Sequence, residues 1–132
     1  EKTAFELMPF ENSIVVLELN GLSIIKMIDY LRKVKLQHPI SGLQITLNND
    51  YSVNEVKING VSIENEKKYY VATTDYLLEG GDKMYFLEET TKTTDINYKM
   101  RDILIDYFKK YDTLKLKSDN RFIRIKWIEK PF

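Results

Sequence analysis

The stretch KKYYVATTDYLLEGGDKMYF, residues 67–86, constrains the fold more than any other part of the chain. Residues 69–74 alternate bulky with small or polar side chains, which is the period of a β-strand, and the pattern breaks at Gly80-Gly81. The strand therefore delivers Tyr76 and Asp82 to a tight loop, where glycine permits positive φ and lets a ligand approach the backbone. A flat aromatic face beside a carboxylate suits a nucleoside. The same residues are also explained without a ligand, by a strand end that is half packed on the core and is followed by a plain turn.

The chain before this stretch predicts a sheet with a helix packed on it. Residues 13–19, SIVVLEL, are typical of a strand buried on both faces, and the helix that follows has Ser23 as its predicted N-cap. Residues 43–47 and 53–58 alternate as half-buried strands do. The Asn59-Gly60 pair then predicts a hairpin turn into a further strand.

The chain after the Gly-Gly pair predicts a short strand at residues 84–87, a polar connecting loop, and a helix capped by Asp95. The helix has a wide apolar face from Ile96 to Tyr111, which is typical of core packing. Residues 122–127 predict a closing strand. The predicted class is α+β, an α/β sandwich in which a mixed β-sheet carries two main helices, with residues 1–132 forming a single domain.

Composition limits the chemistry that this chain can perform. Twenty Lys and Arg residues balance twenty Asp and Glu residues, so no net charge draws the chain to nucleic acid. There is no cysteine, and the apolar runs are far shorter than the roughly twenty residues of a membrane span. His38 is the one histidine, too few for a dinuclear metal site, and Ser41 and Ser62 lack a neighbouring base. We therefore expect neither metal-dependent nor triad-type hydrolysis by this chain alone.

Several segments, taken in their order, resemble the C-terminal domain of the 5'-nucleotidases. YVATTDYLLEGGDKMYF is similar to the family pattern Y-x-V-x-T-x-[DN]-[FY]-L-x-x-G-G-D-G-[FY], and PFENSIVVLELNG to PF-x-N-x-[LIV]-V-x-x-x-[LIV]-x-G. ISGLQITLN resembles the family's [VI]-S-G-[LIV]-x strand, VKINGVSIENEKKYYVATTDY its Asn-Gly turn with the adjoining strands, and MRDILIDYFKK its last helix. The likeness covers about residues 7–126 and implies the same fold.

The resemblance implies a substrate-binding site on the Gly-Gly loop. In the family, the aromatic residue before L-x-x-G-G-D stacks on the base and the carboxylate after the glycines contacts the ribose hydroxyls; Tyr76 and Asp82 occupy these positions. The family's second stacking aromatic is replaced by Gln37, and Lys83 stands where the family has a further glycine. The candidate substrate-binding residues are Tyr76, Asp82, Gly80, Gly81, Gln37 and Gly60.

The resemblance also implies partners outside this chain. In the family, a separate N-terminal metallophosphoesterase domain holds two divalent metal ions, so we expect no cofactor in this chain and a metallophosphoesterase domain or chain as its partner. The strand that carries the family's Gly-x-Ile-Arg phosphate contact is expected before Pro9, as a first strand that this chain lacks. Most members are periplasmic or attached to the cell surface, which is the expected location, although the first ten residues show no signal-peptide pattern.

Two functions remain open on these grounds. The first is a nucleoside- or nucleotide-recognition domain of a 5'-nucleotidase-like phosphohydrolase. The second is a degenerate domain that kept the fold and acts as a protein-interaction or oligomerisation module, which Gln37 and Lys83 favour because they depart from the family pattern. A binder of single-stranded nucleic acid would need a basic groove, which the mixed charges do not predict.

Overall fold

Two β-sheets and the helices packed against them make up the structure, a computed structural model that describes residues 2–34 and 38–125. The first sheet has the antiparallel order β5 (Lys68–Thr74), β1 (Ser13–Asn20), β6 (Lys92–Lys99). The second has the order β4 (Val61–Ser62), β3 (Val53–Ile58), β2 (Leu43–Leu47), β7 (Phe122–Arg124), with β2 and β7 parallel. The helices are α1 (Lys2–Leu7), α2 (Gly21–Lys33), α3 (Asp75–Leu78) and α4 (Met100–Lys110). The predicted α+β class is confirmed.

One face of β1 supplies the centre of the core. Val15, Leu17 and Leu19 are buried, whereas Ile14 and Val16 on the opposite face are only partly so. The prediction of a strand buried on both faces is therefore wrong for β1, although its apolar residues are in the predicted strand. The buried apolar cluster joins both sheets to α2 and consists of Val15, Leu17, Leu19, Ile24, Ile28, Leu31, Ile45, Leu47, Val56, Met84 and Leu87.

The N-cap of helix α2 lies three residues before the predicted one. The side chain of Asn20 accepts the Ser23 N–H at 2.9 Å and so caps the helix, while Ser23 lies buried inside the first turn. The Ser23 hydroxyl instead donates to Glu89 Oε2 at 2.9 Å. The first residue of the helix is Gly21, where a Cβ would overlap the backbone of Glu64. The predicted cap at Ser23 is thus wrong by one turn, whereas the helix itself is confirmed.

The segment after the Gly-Gly pair differs most from the sequence prediction. Residues 84–87 do not form a strand: Tyr85–Glu89 is a 3₁₀ helix that buries Leu87. The predicted polar loop and helix start are strand β6, and Asp95 accepts the N–H of Asn97 at 2.7 Å instead of capping a helix. Asn97 has φ 51°, which is incompatible with a helical turn there. Helix α4 therefore begins at Met100.

Helices α1 and α4 pack against each other, and α4 also contacts β6. Ala4 of α1 is fully buried, and the Arg101 guanidinium lies 4.3 Å from the centre of the Phe5 ring. The apolar face of α4 is partly covered, and none of its residues is fully buried within the described part of the chain. The predicted closing strand is present as β7, although residues 126–127 lie outside the described residues. None of the helices in the described ranges has the length and apolarity to cross a membrane.

Candidate functional site

Short-range hydrogen bonds hold the start of the loop after β5. The Thr74 hydroxyl accepts the Leu77 N–H and caps α3, and the Glu79 N–H then donates to the Asp75 carbonyl at 2.9 Å. Gly80 has φ 89°, which an L-residue rarely adopts, and a 3₁₀ turn at Gly81–Lys83 follows. The chain thus reverses direction within a few residues of the strand end, as the sequence predicted.

Tyr76 and Asp82 meet across this reversal. The Tyr76 hydroxyl donates to Asp82 Oδ1 at 3.1 Å, and the Tyr76 ring remains 50% exposed, so it lies outside the core. The ring rests against Gly81, where a Cβ would come within 2.6 Å of Tyr76 Cε1. The structure therefore places an accessible aromatic ring beside an exposed carboxylate, with glycine making their approach possible.

A second tyrosine, Tyr85, lies against the other glycine of the pair. A Cβ at Gly80 would come within 3.0 Å of Tyr85 Cε1, and the Tyr85 side chain is largely exposed. The sequence analysis placed Tyr85 in a strand and missed this contact. Its nearness to the Gly-Gly pair in sequence was the available signal, but only the 3₁₀ geometry turns the ring back onto the loop.

Tyr30 of α2 also contacts the loop, through a hydrogen bond to its backbone. Its hydroxyl donates to the Asp82 carbonyl at 2.6 Å, which holds Asp82 at its φ of 53°. Partial burial raises the pKa of Tyr30, and the negative charge of Asp82 raises it further, so Tyr30 keeps its proton at neutral pH. The Tyr30 ring also contacts Phe86 at 5.6 Å and His38 at 6.1 Å between ring centres.

Neither Tyr30 nor His38 is among the site residues that the sequence predicts. The structure brings the Tyr30 hydroxyl to the loop, although Tyr30 and Asp82 are 52 positions apart, and it places His38 beside the Tyr30 ring. No spacing along the chain signals such a contact. His38 contributes an edge of an aromatic cluster, and we find no group of His, Cys, Asp and Glu side chains in the described ranges that could hold a metal ion.

The remaining candidate residues do not gather at this loop. Gly60 lies in the turn between β3 and β4 with φ 79°, beside a separate cavity of about 220 Å³ that none of the Gly-Gly loop residues lines. Gln37 lies outside the described residues. Lys83 is exposed and has φ 63°, a conformation that the glycine of the family pattern adopts more readily. The structure thus groups Tyr76, Asp82, Gly80 and Gly81 but not Gly60.

Solved structures of nucleotidases have this fold. A 5'-nucleotidase precursor from Thermus thermophilus matches with a TM-score of 0.79 over 97% of this chain and 27% of its own, at 22% identity. NAD nucleotidase from Haemophilus influenzae gives 0.67 over 89% of this chain and 25% of its own, at 19% identity. At such identities the likeness establishes the architecture alone, a domain of the kind found within nucleotidases.

Sequence comparison identifies the family. The profile of the 5'-nucleotidase C-terminal domain matches residues 1–89, so the chain belongs to that family, as the motifs predicted. Protein UshA of Escherichia coli (strain K12) is 27% identical over 119 residues, covering 86% of this chain and 21% of UshA. A 5'-nucleotidase-related protein of Glossina morsitans morsitans is 26% identical over 136 residues, covering 89% and 24%. The chain thus spans less than a quarter of the length of these curated relatives.

Proposed function

We propose that this domain binds the nucleoside part of a nucleotide at the Gly-Gly loop, with Tyr76 stacking on the base and Asp82 accepting hydrogen bonds from the ribose hydroxyls. The observation that carries the proposal is the Tyr76–Asp82 pair, an exposed ring and an exposed carboxylate joined by a 3.1 Å hydrogen bond. Membership of the 5'-nucleotidase C-terminal family supports it. Relatives named as 5'-nucleotidases and an NAD nucleotidase make a nucleotide the natural class of ligand.

The geometry of Asp82 suits a diol. The carboxylate of Asp82 can accept about four hydrogen bonds, and the Tyr76 hydroxyl donates one of them to Oδ1. Positions therefore remain to accept hydrogen bonds from two vicinal hydroxyls. Asp82 is fixed at its side chain by Tyr76 and at its backbone by Tyr30. Less conformational freedom is therefore lost when a ligand binds, which favours affinity.

Hydrolysis in this proposal belongs to a metallophosphoesterase domain or a separate chain with two divalent metal ions. The relatives named as nucleotidases are about four times longer than the matched region, which leaves room for such a domain. This chain would then orient the nucleoside while the other domain catalyses hydrolysis of the phosphoester. A location outside the cytoplasm, periplasmic or at the cell surface, is part of the same proposal.

Binding of adenosine to the 132-residue chain, followed by tyrosine fluorescence, tests the role of the ring. Tyr76→Ala should weaken binding roughly 5- to 150-fold, because stacking of a base on an aromatic ring contributes about 1 to 3 kcal/mol. Tyr76→Phe keeps the ring and should retain most of the affinity. Tyr111→Ala, which removes a partly exposed tyrosine from the end of α4, is the matched control and should leave binding unchanged. Equal affinities for Tyr76→Ala and the unmodified chain would contradict the proposal.

A comparison of adenosine with 2',3'-dideoxyadenosine tests the role of Asp82. Asp82→Ala should weaken adenosine binding roughly tenfold, because hydrogen bonds to a charged acceptor are lost. The same variant should not change binding of the dideoxy compound, which has no hydroxyls to donate. If both ligands lose affinity equally, Asp82 acts on the loop conformation and not on the ribose.

The second candidate function is a protein-interaction or oligomerisation module derived from the same fold. Lys83 favours it, because a long charged side chain beside Asp82 occupies the position where the family pattern has glycine. Absence of any saturable binding of adenosine, nucleoside monophosphates or dinucleotides, together with a defined oligomer, would support this second candidate instead.

A further inference from the structure

The chain contains two Asn-Gly pairs, Asn20-Gly21 and Asn59-Gly60. Asparagine is a thermolabile residue, because its side-chain carbonyl can be attacked by the backbone nitrogen of the next residue. When that residue is glycine, no side chain hinders the attack and the backbone is free to bring the two groups together. Because both pairs have the same local chemistry, any difference in their reactivity must come from the structure around each pair.

The structure restrains both reacting groups of Asn20-Gly21. The Asn20 side chain accepts the Ser23 N–H at 2.9 Å, and the Gly21 N–H donates to the Lys67 carbonyl at 3.0 Å. A Cβ at Gly21 would lie 2.0 Å from the Glu64 carbonyl oxygen, which leaves little room for the backbone to rotate. Asn20 is itself exposed, so contact with solvent alone does not set its reactivity.

Asn59-Gly60 lacks these restraints. Its two residues are exposed and form the turn between β3 and β4, with φ values of 50° and 79°. The Asn59 N–H donates to the Gly42 carbonyl at 3.1 Å, but we find no hydrogen bond of the Gly60 N–H or of the Asn59 side chain in the described part of the chain. A Cβ built at Gly60 would have no atom within 4 Å beyond its chain neighbours. Both reacting groups of this pair are therefore without a partner among the described residues.

The turn at Asn59-Gly60 can also change its backbone conformation at small cost. Ring closure requires Asn59 to leave its left-handed conformation, which opens the end of the β3–β4 hairpin. β4 consists of Val61 and Ser62 alone, both of them exposed, and it lies at the edge of its sheet. Short, exposed pairings of this kind open locally far more often than the strands of a core.

We propose that Asn59 is a site of spontaneous deamidation in the folded protein, whereas Asn20 is protected. The backbone nitrogen of Gly60 attacks Cγ of Asn59, the new N–Cγ bond forms, the Cγ–Nδ2 bond breaks, and ammonia leaves with the proton of the Gly60 N–H. Water then opens the cyclic imide. Cleavage between the Gly60 nitrogen and Cγ gives aspartate, whereas cleavage between that nitrogen and the Asn59 carbonyl carbon gives isoaspartate. The overall reaction consumes one water, releases one ammonia and involves no change of oxidation state.

The modification changes both the charge and the backbone of the turn. The new carboxylate lies beside the cavity of about 220 Å³ that Asn59 lines together with Lys57, Asp119 and Arg121. A chain with no formal net charge thereby gains one negative charge. Isoaspartate also adds a methylene group to the backbone, which is incompatible with the two-residue turn that joins β3 to β4. The reaction does not depend on nucleoside binding, so failure of either proposal leaves the other standing.

Incubation of the 132-residue chain at mildly alkaline pH, followed by peptide mapping with mass spectrometry, tests the proposal. In the folded chain, Asn59 should deamidate roughly tenfold or more faster than Asn20, because a helix cap and a backbone hydrogen bond must both open at Asn20. In urea the two pairs should react at similar rates, since only the native structure distinguishes them. Incubation in heavy-oxygen water with digestion in ordinary water marks the products that form during the incubation.

The matched variant is Asn59→Gln, which keeps the amide but lengthens the side chain and so disfavours ring closure. Ion exchange of the unmodified chain should show an acidic species that grows during incubation, and this species should be largely lost in Asn59→Gln. Equal rates at Asn59 and Asn20 in the folded chain overturn the proposal, as does an Asn59 that reacts in urea but not in the native state. An acidic species that persists unchanged in Asn59→Gln, or no deamidation of Asn59 under either condition, also overturns it.

Discussion

At the residue scale, the two glycines of the loop have different roles. Gly80 is needed for its backbone, because φ is 89°, whereas Gly81 is needed for the space that the Tyr76 ring occupies. From the sequence, both glycines were expected to allow positive φ and to let a ligand approach the backbone. The structure shows that the pair also seats two tyrosine rings, Tyr76 on Gly81 and Tyr85 on Gly80.

Replacement of Gly81 by Ala tests this role. The new Cβ would overlap the Tyr76 ring and carbonyl, so we expect a loss of about 1 to 3 kcal/mol in unfolding free energy, typical of overpacking, together with weaker nucleoside binding. Urea unfolding and adenosine titration measure the two effects. Gly60→Ala is the control: it has positive φ but no atom within 4 Å of the new Cβ, so binding should not change. Unchanged stability and affinity in Gly81→Ala would refute the ring contact.

The carboxylate of Asp119 gives a prediction of pH dependence. A side-chain hydrogen bond from Arg121, and then the Arg121 backbone N–H, lower the pKa of Asp119 from 3.8 to about 2. The folded-state pKa lies below the unfolded value, so this contact stabilises the fold fully above pH 3.8 and is lost as pH falls through about 2. The Asp119 carboxyl signal in NMR should titrate near 2, and Arg121→Met should move it back toward 3.8. A midpoint near 3.8 in the unmodified chain would mean that the pair does not form.

At the element scale, the sequence predicted the strands that carry several apolar residues and missed β6. β1, β2, β3 and β5 lie where residues 13–19, 43–47, 53–58 and 69–74 predicted them. β6, KTTDINYK, is exposed at nearly every position, so burial never imposed an alternating pattern on it. Its apolar residue Ile96 lies at helical spacing from Met100, which extended the predicted helix by about one turn.

The start of α2 provides a prediction for this scale. Because Asn20 and not Ser23 caps the helix, Asn20→Ala should lower the unfolding free energy by about 1 kcal/mol. Asn20→Asp keeps a capping oxygen and should retain most of the stability, which makes it the matched control. Chemical denaturation of the three proteins measures the difference. An Asn20→Ala variant as stable as Asn20→Asp would show that the cap contributes nothing.

At the scale of the whole molecule, the family, the fold class and the central pair of the candidate site could be predicted from the sequence. Tyr76 and Asp82 are six positions apart, and one loop brings them together. Tyr30 could not be predicted, since it reaches the loop only once α2 has packed on the sheet. Local contacts leave a pattern in sequence, whereas contacts between distant elements depend on the finished fold.

The same reasoning explains why Gly60 was predicted at the site. The Asn59-Gly60 turn belongs to the family pattern, but in the structure it lies beside a cavity that Ser41 and Arg121 also line, away from the Gly-Gly loop. A motif can therefore mark a characteristic turn of the fold without placing that turn beside Tyr76 and Asp82. The proposed binding residues are accordingly Tyr76 and Asp82, with Gly80 and Gly81 shaping the loop between them.

Chemical-shift mapping by NMR with adenosine 5'-monophosphate tests the central claim most directly, because it shows where a nucleotide binds as well as whether it binds. The account predicts saturable shifts in the backbone amides of Tyr76, Gly81 and Asp82, with a smaller effect at Tyr30 and none along β6. The same titration of Tyr76→Ala should show these shifts greatly reduced. Saturable shifts confined to the cavity beside Gly60, or no saturable shifts at all, would contradict nucleoside recognition at this loop.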